Sequence, residues 1–166
     1  MQPVVARATE RDTDWIAGLW NGIIADTLVT FTTHPKSAED VATMIETRPV
    51  FVLPDQAGFA TYSPFRPGPG YAATVEHSVY LAPGAQGQGA GSTLLHHLME
   101  HARRDGHHVM IAAISGANPG AVRFHARLGF VETARMPQVG RKAGQWLDLI
   151  LMQKMLNPPD SPIRPG

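Results

Sequence analysis

Residues 83–92 form a glycine-dense segment whose composition and position indicate an anion-binding site. They read Pro-Gly-Ala-Gln-Gly-Gln-Gly-Ala-Gly-Ser. A run of β-branched and aromatic residues, 75–81, precedes the segment, and apolar residues at helical spacing follow it over 94–102. Glycines let a backbone approach a ligand closely, and the free amides in the first turn of a helix attract anions. The pattern therefore predicts a strand, a diphosphate-binding loop and a helix, in that order.

Two common nucleotide-binding motifs do not fit this loop. A Walker loop needs a lysine beside its last glycine, and the chain has no lysine between positions 36 and 142. A Rossmann fingerprint needs a third glycine in the loop and an acidic residue at the end of the next strand. Here Ser92 stands where the third glycine would follow Gly87 and Gly89, and the predicted strand 109–113 contains no acid.

A third pattern, Gln86-x-x-Gly89-x-Gly91, is followed by a second signature at residues 118–130, Asn-Pro-Gly-Ala-Val-Arg-Phe-His-Ala-Arg-Leu-Gly-Phe. Asn118 is a favourable helix N-cap, so a well-capped amphipathic helix would explain the second segment without any function. Taken together and in this order, the two segments resemble the signatures of the GCN5-related N-acetyltransferases (GNAT). The resemblance implies acetyl-CoA as the cosubstrate, with its diphosphate on the loop.

Residues 62–66, 74–80 and 140–148 narrow the resemblance to the phosphinothricin and methionine sulfone N-acetyltransferase branch. That branch implies direct transfer of acetyl from acetyl-CoA to the α-amine of a small, amino-acid-like acceptor. The acceptors implied are phosphinothricin, methionine sulfoximine and methionine sulfone. The branch usually has an aromatic residue immediately before the position of Lys142, whereas this chain has Arg141. The departure bears on the identity of the acceptor more than on the reaction.

The resemblance also implies a contact surface for acetyl-CoA, made by the end of a strand, the glycine-rich loop and the short helix. Its residues are Val79, Tyr80, Leu81, Gln86, Gly87, Gln88, Gly89, Ala90, Gly91, Ser92, Asn118 and Phe124. The tetrahedral intermediate of acyl transfer needs hydrogen-bond donors for its oxyanion. Backbone amides near residues 79–81 are the expected source.

Glu76 is the candidate general base. A primary ammonium must lose a proton before it attacks a thioester, and a nearby carboxylate can receive that proton. Alternation along the strand places Glu76, Ser78 and Tyr80 on one face and His77 on the other. A charge in the middle of a sheet strand is costly unless it has a function or a partner. Glu76 is therefore either the base that the resemblance implies or a salt-bridged or solvated carboxylate.

His125 lies near the end of the short helix, where most of the superfamily has a Tyr and this branch has a His. The leaving thiolate needs a proton or a hydrogen bond, and an imidazole can donate one at neutral pH. The resemblance thus implies His125 as the donor, and the other interpretation is a surface histidine. His97 and His101 have the spacing of two metal ligands on a helix, but no third ligand is evident, so no metal is expected.

Three further residues are candidates for acceptor binding. Arg66, in the loop before the Glu76 strand, could pair with an acceptor carboxylate in bidentate geometry. Phe31 would form an apolar wall, and Trp146 would lie near the acceptor pocket or a dimer contact. The branch suggests a homodimer, and the Trp146 strand is a candidate contact because an apolar edge strand needs cover.

The composition sets limits on the class of protein. The 166 residues, 43% hydrophobic and 17% charged, suit a single globular domain. Fourteen basic residues balance 14 acidic ones, which argues against a general binder of nucleic acid or of membrane surfaces. The chain has no cysteine, so it can form no disulfide and has no thiol of its own that could take part in chemistry. No apolar signal segment is evident, so a cytoplasmic location is expected.

Periodicity predicts a strand at 4–8, two helices, three strands, and then a helix, a strand, a short helix and two strands. This is the element order of the GNAT fold, an α/β fold (α+β) with a mixed, mostly antiparallel, twisted sheet of about six or seven strands and about four helices. Residues 1–156 are predicted to form one acetyltransferase domain, and residues 157–166 a proline-rich tail.

Two other functions remain open on the sequence alone. One is a GNAT enzyme that acetylates a different small amine, an aminoglycoside or a protein N-terminus. An aminoglycoside site would favour a large acidic patch, which the number of acidic residues does not suggest. The other is a binding module that senses acetyl-CoA without turnover.

Overall fold

One mixed sheet with helices on both faces makes up residues 3–157, the part of the chain that this computed structural model describes. Within that range, seven strands lie in the order β1-β2-β3-β4-β5-β7-β6 and are accompanied by four α-helices. The strands are β1 (Ala6–Arg7), β2 (Val50–Val52), β3 (Gly58–Pro64), β4 (Thr74–Leu81), β5 (Val109–Ser115), β6 (Val131–Lys142) and β7 (Gln145–Met155). The helices are α1 (Thr13–Asp26), α2 (Ala38–Thr47), α3 (Ala90–Arg104) and α4 (Pro119–Arg127).

Side chains next to the first residues fix where two of the helices begin. The hydroxyl of Ser37 accepts a hydrogen bond from the Asp40 amide, and the Asp40 carboxylate accepts one from the Ser37 amide. This reciprocal capping box satisfies two of the amides that a helix start leaves unpaired. The side-chain oxygen of Asn118 accepts from the amide of Ala121 and caps α4 in the same way.

A tight turn joins β2 to β3. Asp55 and Gln56 both adopt a φ of 56°, in the left-handed region that favours glycine. Gly58 follows them and starts β3 opposite Leu81, where a Cβ would lie 2.6 Å from the carbonyl oxygen of Tyr80. The close approach of two backbones therefore requires a glycine at position 58.

Two apolar clusters, one on each face of the sheet, hold the layers together. Ile16 of α1 and Val41 of α2 pack with Phe59 of β3 on one face. Leu94 and Leu98 of α3 pack on the opposite face, in a cluster that also includes Val75, Met110 and Ile150. Burying large aliphatic side chains contributes roughly 1.5–3 kcal/mol each, so these two clusters are the main source of stability.

The predicted element order and the mixed sheet are confirmed, with one difference at the first strand. β1 covers two residues rather than 4–8, because only Ala6 and Arg7 pair with β2. The amide of Ala8 then donates to Val50, and the chain turns into α1. Of the predicted tail, residues 158–166 lie outside the described part of the chain, so the boundary at 156 stays a prediction. No helix within residues 3–157 is long and apolar enough to cross a membrane.

Candidate active site

The candidate site is centred on the point where β4 and β5 separate. These two strands are the parallel pair of the sheet, and their pairing runs from Thr74 opposite Val109 to His77 opposite Ala112. Beyond His77, β4 continues to Leu81 paired with β3 alone, and β5 continues paired with β7. The two strands therefore form a fork with His77 at its apex. One edge of β4 beyond the apex is left without a β5 partner, as an oxyanion site at residues 79–81 requires.

The glycine-rich loop follows the end of β4 and leads directly into α3. Gly87 and Gly89 have φ values of 77° and 79°, and no atom lies within 4 Å of the place where either would carry a Cβ. The space in front of the loop is therefore open. A cavity of about 940 Å³ touches the loop at Gln88 and Gly89 and extends along the flank of α3 to His101 and Arg104. Exposed glycine backbone at a helix start fits a diphosphate.

Three of the residues predicted to bind the cofactor are brought into contact behind the loop. A Cβ added at Gly91 would lie 3.2 Å from a methyl carbon of Leu81 and 3.4 Å from the ring of Phe124. The first turn of α3 therefore packs closely against both the end of β4 and helix α4. Asn118 contributes to the same region indirectly, since its side-chain oxygen caps α4.

Glu76 projects from β4 on the α1 and α2 face of the sheet, one residue before the apex of the fork. Its side chain is half-buried, and within residues 3–157 its carboxylate makes no ion pair or hydrogen bond. Burial raises the pKa of Glu76 above the usual range of a carboxyl. The salt-bridged alternative is therefore wrong for the described part of the chain. A half-buried carboxylate with a raised pKa is suited to accept a proton near neutral pH.

Tyr80 lies on the same face as Glu76, as alternation predicts, and closes one side of the region. Its ring packs against Trp20 and Phe59, with centroid distances of 5.6 and 5.3 Å. Burial raises the pKa of Tyr80, and the nearby hydroxyls of Ser78 and Thr30 offset part of that shift. The side chain of Tyr80 is thus engaged in packing, and its contact with acetyl-CoA stays a prediction.

The segment after α1 is fixed over this face by β6. The buried ammonium of Lys142, only 7% exposed, donates a 2.8 Å hydrogen bond to the carbonyl of Thr30. The ring of Phe31 lies directly on Gly140, where a Cβ would be 2.5 Å from a ring carbon. Phe31 thus packs on β6 and follows Thr30, whose hydroxyl lies near that of Tyr80. Lys142 has no carboxylate partner among the described residues.

Arg66 and Trp146, the other two predicted acceptor residues, are both exposed and do not join the packed part of the site. Arg66 follows β3, and its guanidinium lies 5.7 Å from the ring of its neighbour Phe65. Trp146 is 58% exposed, and the guanidinium of Arg141 lies 4.6 Å from its ring. The residue that stands in place of the branch's usual aromatic therefore stacks on Trp146.

His125 lies on the opposite face of the fork and is buried, so the surface interpretation is wrong. Its side chain is 4% exposed, and burial lowers its pKa. Nδ1 lies 2.7 Å from the carbonyl oxygen of Ala121, and Nε2 lies 3.0 Å from Nε2 of His77. Alternation predicts the face on which His77 lies, but nothing in the sequence indicates this contact with α4.

Comparison with known families identifies the class of this site. The profile of the acetyltransferase (GNAT) family matches residues 20–130, which include the fork, the loop and α4. The chain belongs to the GNAT acetyltransferase family. The predicted family, fold and enzyme class are thereby confirmed, and the roles of individual side chains stay predictions.

Relatives of the chain within the GNAT family act on amino acids and their analogues. An L-methionine sulfoximine/L-methionine sulfone acetyltransferase of Pseudomonas aeruginosa is 38% identical, over 95% of this chain and 97% of the relative. A phosphinothricin N-acetyltransferase of Streptomyces coelicolor is 32% identical, over 92% of this chain and 95% of the relative. These are two of the enzyme types that the sequence resembles.

Solved structures support the same fold. An acetyltransferase from Salmonella typhimurium with its cofactor acetyl-CoA superposes with a TM-score of 0.91 at 35% identity, covering 98% of both chains. A ribosomal-protein-alanine N-acetyltransferase from Brucella melitensis has a TM-score of 0.88 at 36% identity, covering 92% of this chain and 99% of the other.

Proposed function

We propose that this GNAT protein transfers acetyl from acetyl-CoA to the α-amine of a small, amino-acid-like acceptor of the phosphinothricin, methionine sulfoximine or methionine sulfone type. The observation that carries the proposal is Glu76, a carboxylate with a raised pKa beside the apex of the β4–β5 fork that has no ion pair within the described part of the chain. The loop 86–92 would hold the diphosphate of acetyl-CoA. The relatives that act on these acceptors support the choice of substrate class.

In the proposed reaction the acceptor amine attacks the thioester directly. The ammonium first gives a proton to Glu76, either directly or through water, and the free amine then forms a bond to the acyl carbon. Unpaired amides of β4 near residues 79–81 stabilise the oxyanion of the tetrahedral intermediate. The carbon–sulfur bond then breaks and the nitrogen loses its second proton, which leaves the N-acetylated product and a thiolate that is protonated in turn. Among the residues described, no three His, Cys, Asp or Glu side chains are clustered as metal ligands would be.

On the leaving-group side we retain His125 as a residue of the proposed site. A donor to the sulfur would have to use Nε2, because Nδ1 lies against the carbonyl of Ala121. Nε2 in turn lies against His77. Whether His125 can donate a proton to the sulfur therefore depends on how protons are distributed over both histidines.

An α-carboxylate on the acceptor would need a cation, and two are candidates. Arg66 is exposed and could offer a bidentate pair. Lys142 is buried beside Thr30 and Phe31 and could place an ammonium in the same region as Glu76. An ammonium that is buried without a carboxylate partner is costly, so a carboxylate ligand would stabilise it.

Replacing Arg66 with alanine should raise KM for the amino acid several-fold with a smaller effect on kcat, which is the mark of lost uniform binding. The measurement is initial-rate kinetics by thiol release, with Arg11→Ala as the control because Arg11 is also exposed but lies beside the β2–β3 turn, at the other end of β3. A matching experiment with Lys142→Met assigns the carboxylate to Lys142 if only that variant raises KM. Unchanged KM in both variants would contradict a carboxylate contact by either cation.

The acceptor itself is identified by a screen that follows release of free CoA thiol. The panel would include methionine sulfone, methionine sulfoximine, phosphinothricin, unmodified amino acids, an aminoglycoside and an N-terminal peptide of a ribosomal protein. We expect turnover with the first three and little with the last two. If calorimetry shows that acetyl-CoA binds but no amine in the panel is acetylated, the result would instead support a binding module that senses acetyl-CoA without turnover.

We also propose that the enzyme is a cytoplasmic homodimer that uses the β6–β7 hairpin as its contact. β6 is an edge strand in the described part of the sheet. The exposed large apolar side chains on the two strands are Val131, Met136, Val139, Trp146 and Met155. An apolar edge of this length is a surface that soluble proteins usually cover.

Substituting Trp146→Glu together with Val139→Glu should convert the dimer to monomers, because two charges would be desolvated in the contact. Sedimentation velocity measures the change. Val4→Glu provides the control, since Val4 is an exposed apolar residue far from the hairpin along the sheet. A wild-type protein that sediments as a monomer would refute the dimer.

A further inference from the structure

His77 is a buried titratable residue at the apex of the fork to which the proposed reaction assigns no task. It is the last residue of β4 that pairs with β5. Its side chain is 6% exposed and points to the α4 face, opposite to Glu76. The ring lies edge to edge with that of His125, with centroids 5.1 Å apart and the ring planes 24° from parallel. His77 thus stands where the two strands begin to separate, in contact with the one imidazole that the family resemblance singles out.

The hydrogen bonds around the two rings determine which nitrogen carries each proton. A carbonyl oxygen can only accept, so His125 donates from Nδ1 to Ala121 across 2.7 Å. A neutral His125 then has a lone pair on Nε2 and must accept at that atom. The partner atom, Nε2 of His77, lies 3.0 Å away and therefore donates. Nδ1 of His77 is left with a lone pair, and this buried nitrogen has no hydrogen-bond partner among residues 3–157.

The surroundings keep this pair uncharged. Phe130 contacts both rings, and Phe124 packs edge-on against His125. The carboxylate beside His77 in β4, Glu76, projects from the opposite face. Burial, followed by the neighbouring His125, lowers the pKa of His77 to about 3. Burial also lowers the pKa of His125, partly offset by the Ala121 carbonyl. At neutral pH both imidazoles are therefore neutral.

We infer that His77 is a positioning residue of the acetyltransferase site: its Nε2–H holds His125 as the neutral tautomer that is protonated on Nδ1. In this arrangement both nitrogens of His125 are engaged, and neither has a free N–H for a sulfur atom. The thiolate can then take a proton from His125 only after the pair has gained a proton or the ring has left His77. The pair instead fixes α4 to β4 at the apex of the fork.

The tautomers can be measured directly by nitrogen-15 NMR of protein with labelled histidine, since protonated and unprotonated ring nitrogens have well-separated shifts. Spectra of His77→Gln and His125→Asn assign the two rings among the eight histidines. The inference predicts that at pH 7 His125 is protonated on Nδ1 alone and His77 on Nε2 alone. A proton on Nε2 of His125 at that pH would overturn it. This readout requires no turnover, so it stands or falls separately from the proposed function.

Kinetics provide a second test, which rests on the proposed function. His77→Leu removes the donor, and the loss of one neutral hydrogen bond predicts a decrease of roughly 3- to 10-fold in kcat/KM for acetyl-CoA. His77→Gln places an amide N–H near the position of Nε2 and should restore most of that loss. His77→Asn, whose amide mimics Nδ1 instead, should not. Equal rates in all three variants, or rescue by Asn rather than Gln, would contradict the inference. If His77→Leu does not fold, the inference is still tested by the rates of His77→Gln and His77→Asn and by the nitrogen-15 spectrum of the wild type.

Discussion

Replacing Glu76 with glutamine should lower kcat by roughly 10²-fold at neutral pH, because the amide keeps the shape of the side chain and cannot accept the amine proton. The loss should shrink as the pH rises, since the acceptor amine then deprotonates in solution without help. In the wild type, kcat should fall on the acid side as Glu76 becomes protonated. Burial raises the pKa of Glu76, so this decrease should begin at a higher pH than an ordinary glutamate would give. The measurement is a pH profile of thiol release for both proteins.

Two comparisons make the Glu76 result interpretable. A carboxyl whose pKa is raised by folding destabilises the native state when it ionises, so its contribution to stability is lost as the pH rises through that pKa. Glu76→Gln should therefore unfold at the same temperature as the wild type or higher at neutral pH, which separates lost chemistry from lost folding. Glu46→Gln, at an exposed position of α2, should leave turnover unchanged. A Glu76→Gln pH profile parallel to that of the wild type would remove Glu76 as the base.

Placing a carboxylate in the glycine-rich loop should lower the affinity for acetyl-CoA by tenfold or more, equivalent to about 1.4 kcal/mol. At Gly89 an aspartate would bring a negative charge to the start of α3 and a side chain to a backbone with a φ of 79°. At Gly91 a glutamate would also press on Leu81 and Phe124, so both the charge and the packing oppose binding. Isothermal titration with acetyl-CoA measures the effect.

Gly106→Asp is the matched control for the loop variants. Gly106 lies just after the other end of α3, has a φ of 91°, and a Cβ there would have no atom within 4 Å. The control thus introduces the same charge and a similar backbone strain away from the proposed cofactor site. It should bind acetyl-CoA as the wild type does. Unchanged affinity in a folded Gly89→Asp protein would exclude the loop as the diphosphate site.

Local signals were sufficient to predict most of the fold. The capping box of Ser37 and Asp40, the N-cap Asn118 and the turn at Asp55 and Gln56 each depend on residues close together in the chain. Periodicity correctly predicted on which face of β4 each residue lies, which is why Glu76 and Tyr80 were expected to lie together.

The contacts that the sequence could not indicate join residues far apart in the chain. His77 and His125 are in contact although 48 positions separate them in the sequence, and Lys142 donates to Thr30 from 112 positions away. Alternation assigns a residue to a face but does not specify which helix packs there, so it left His77 without a role. The sequence predicts Trp146 near the acceptor pocket or a dimer contact, and in the structure its side chain is 58% exposed. Its exposure is set by the position of the β6–β7 hairpin at the edge of the sheet, which local sequence does not specify.

One pair of acceptors tests the central claim most directly: L-methionine sulfone and the amine that remains when its carboxylate is removed. Both present a primary amine and the same sulfone, and they differ in the group that a buried or bidentate cation would bind. We expect acetyl-CoA-dependent thiol release and N-acetyl product by mass spectrometry with the amino acid, and at least tenfold lower kcat/KM without the carboxylate, because a cation in the pocket would be left unpaired. Equal rates for the two amines would contradict an amino-acid acceptor and leave only the family's acetyl transfer in place.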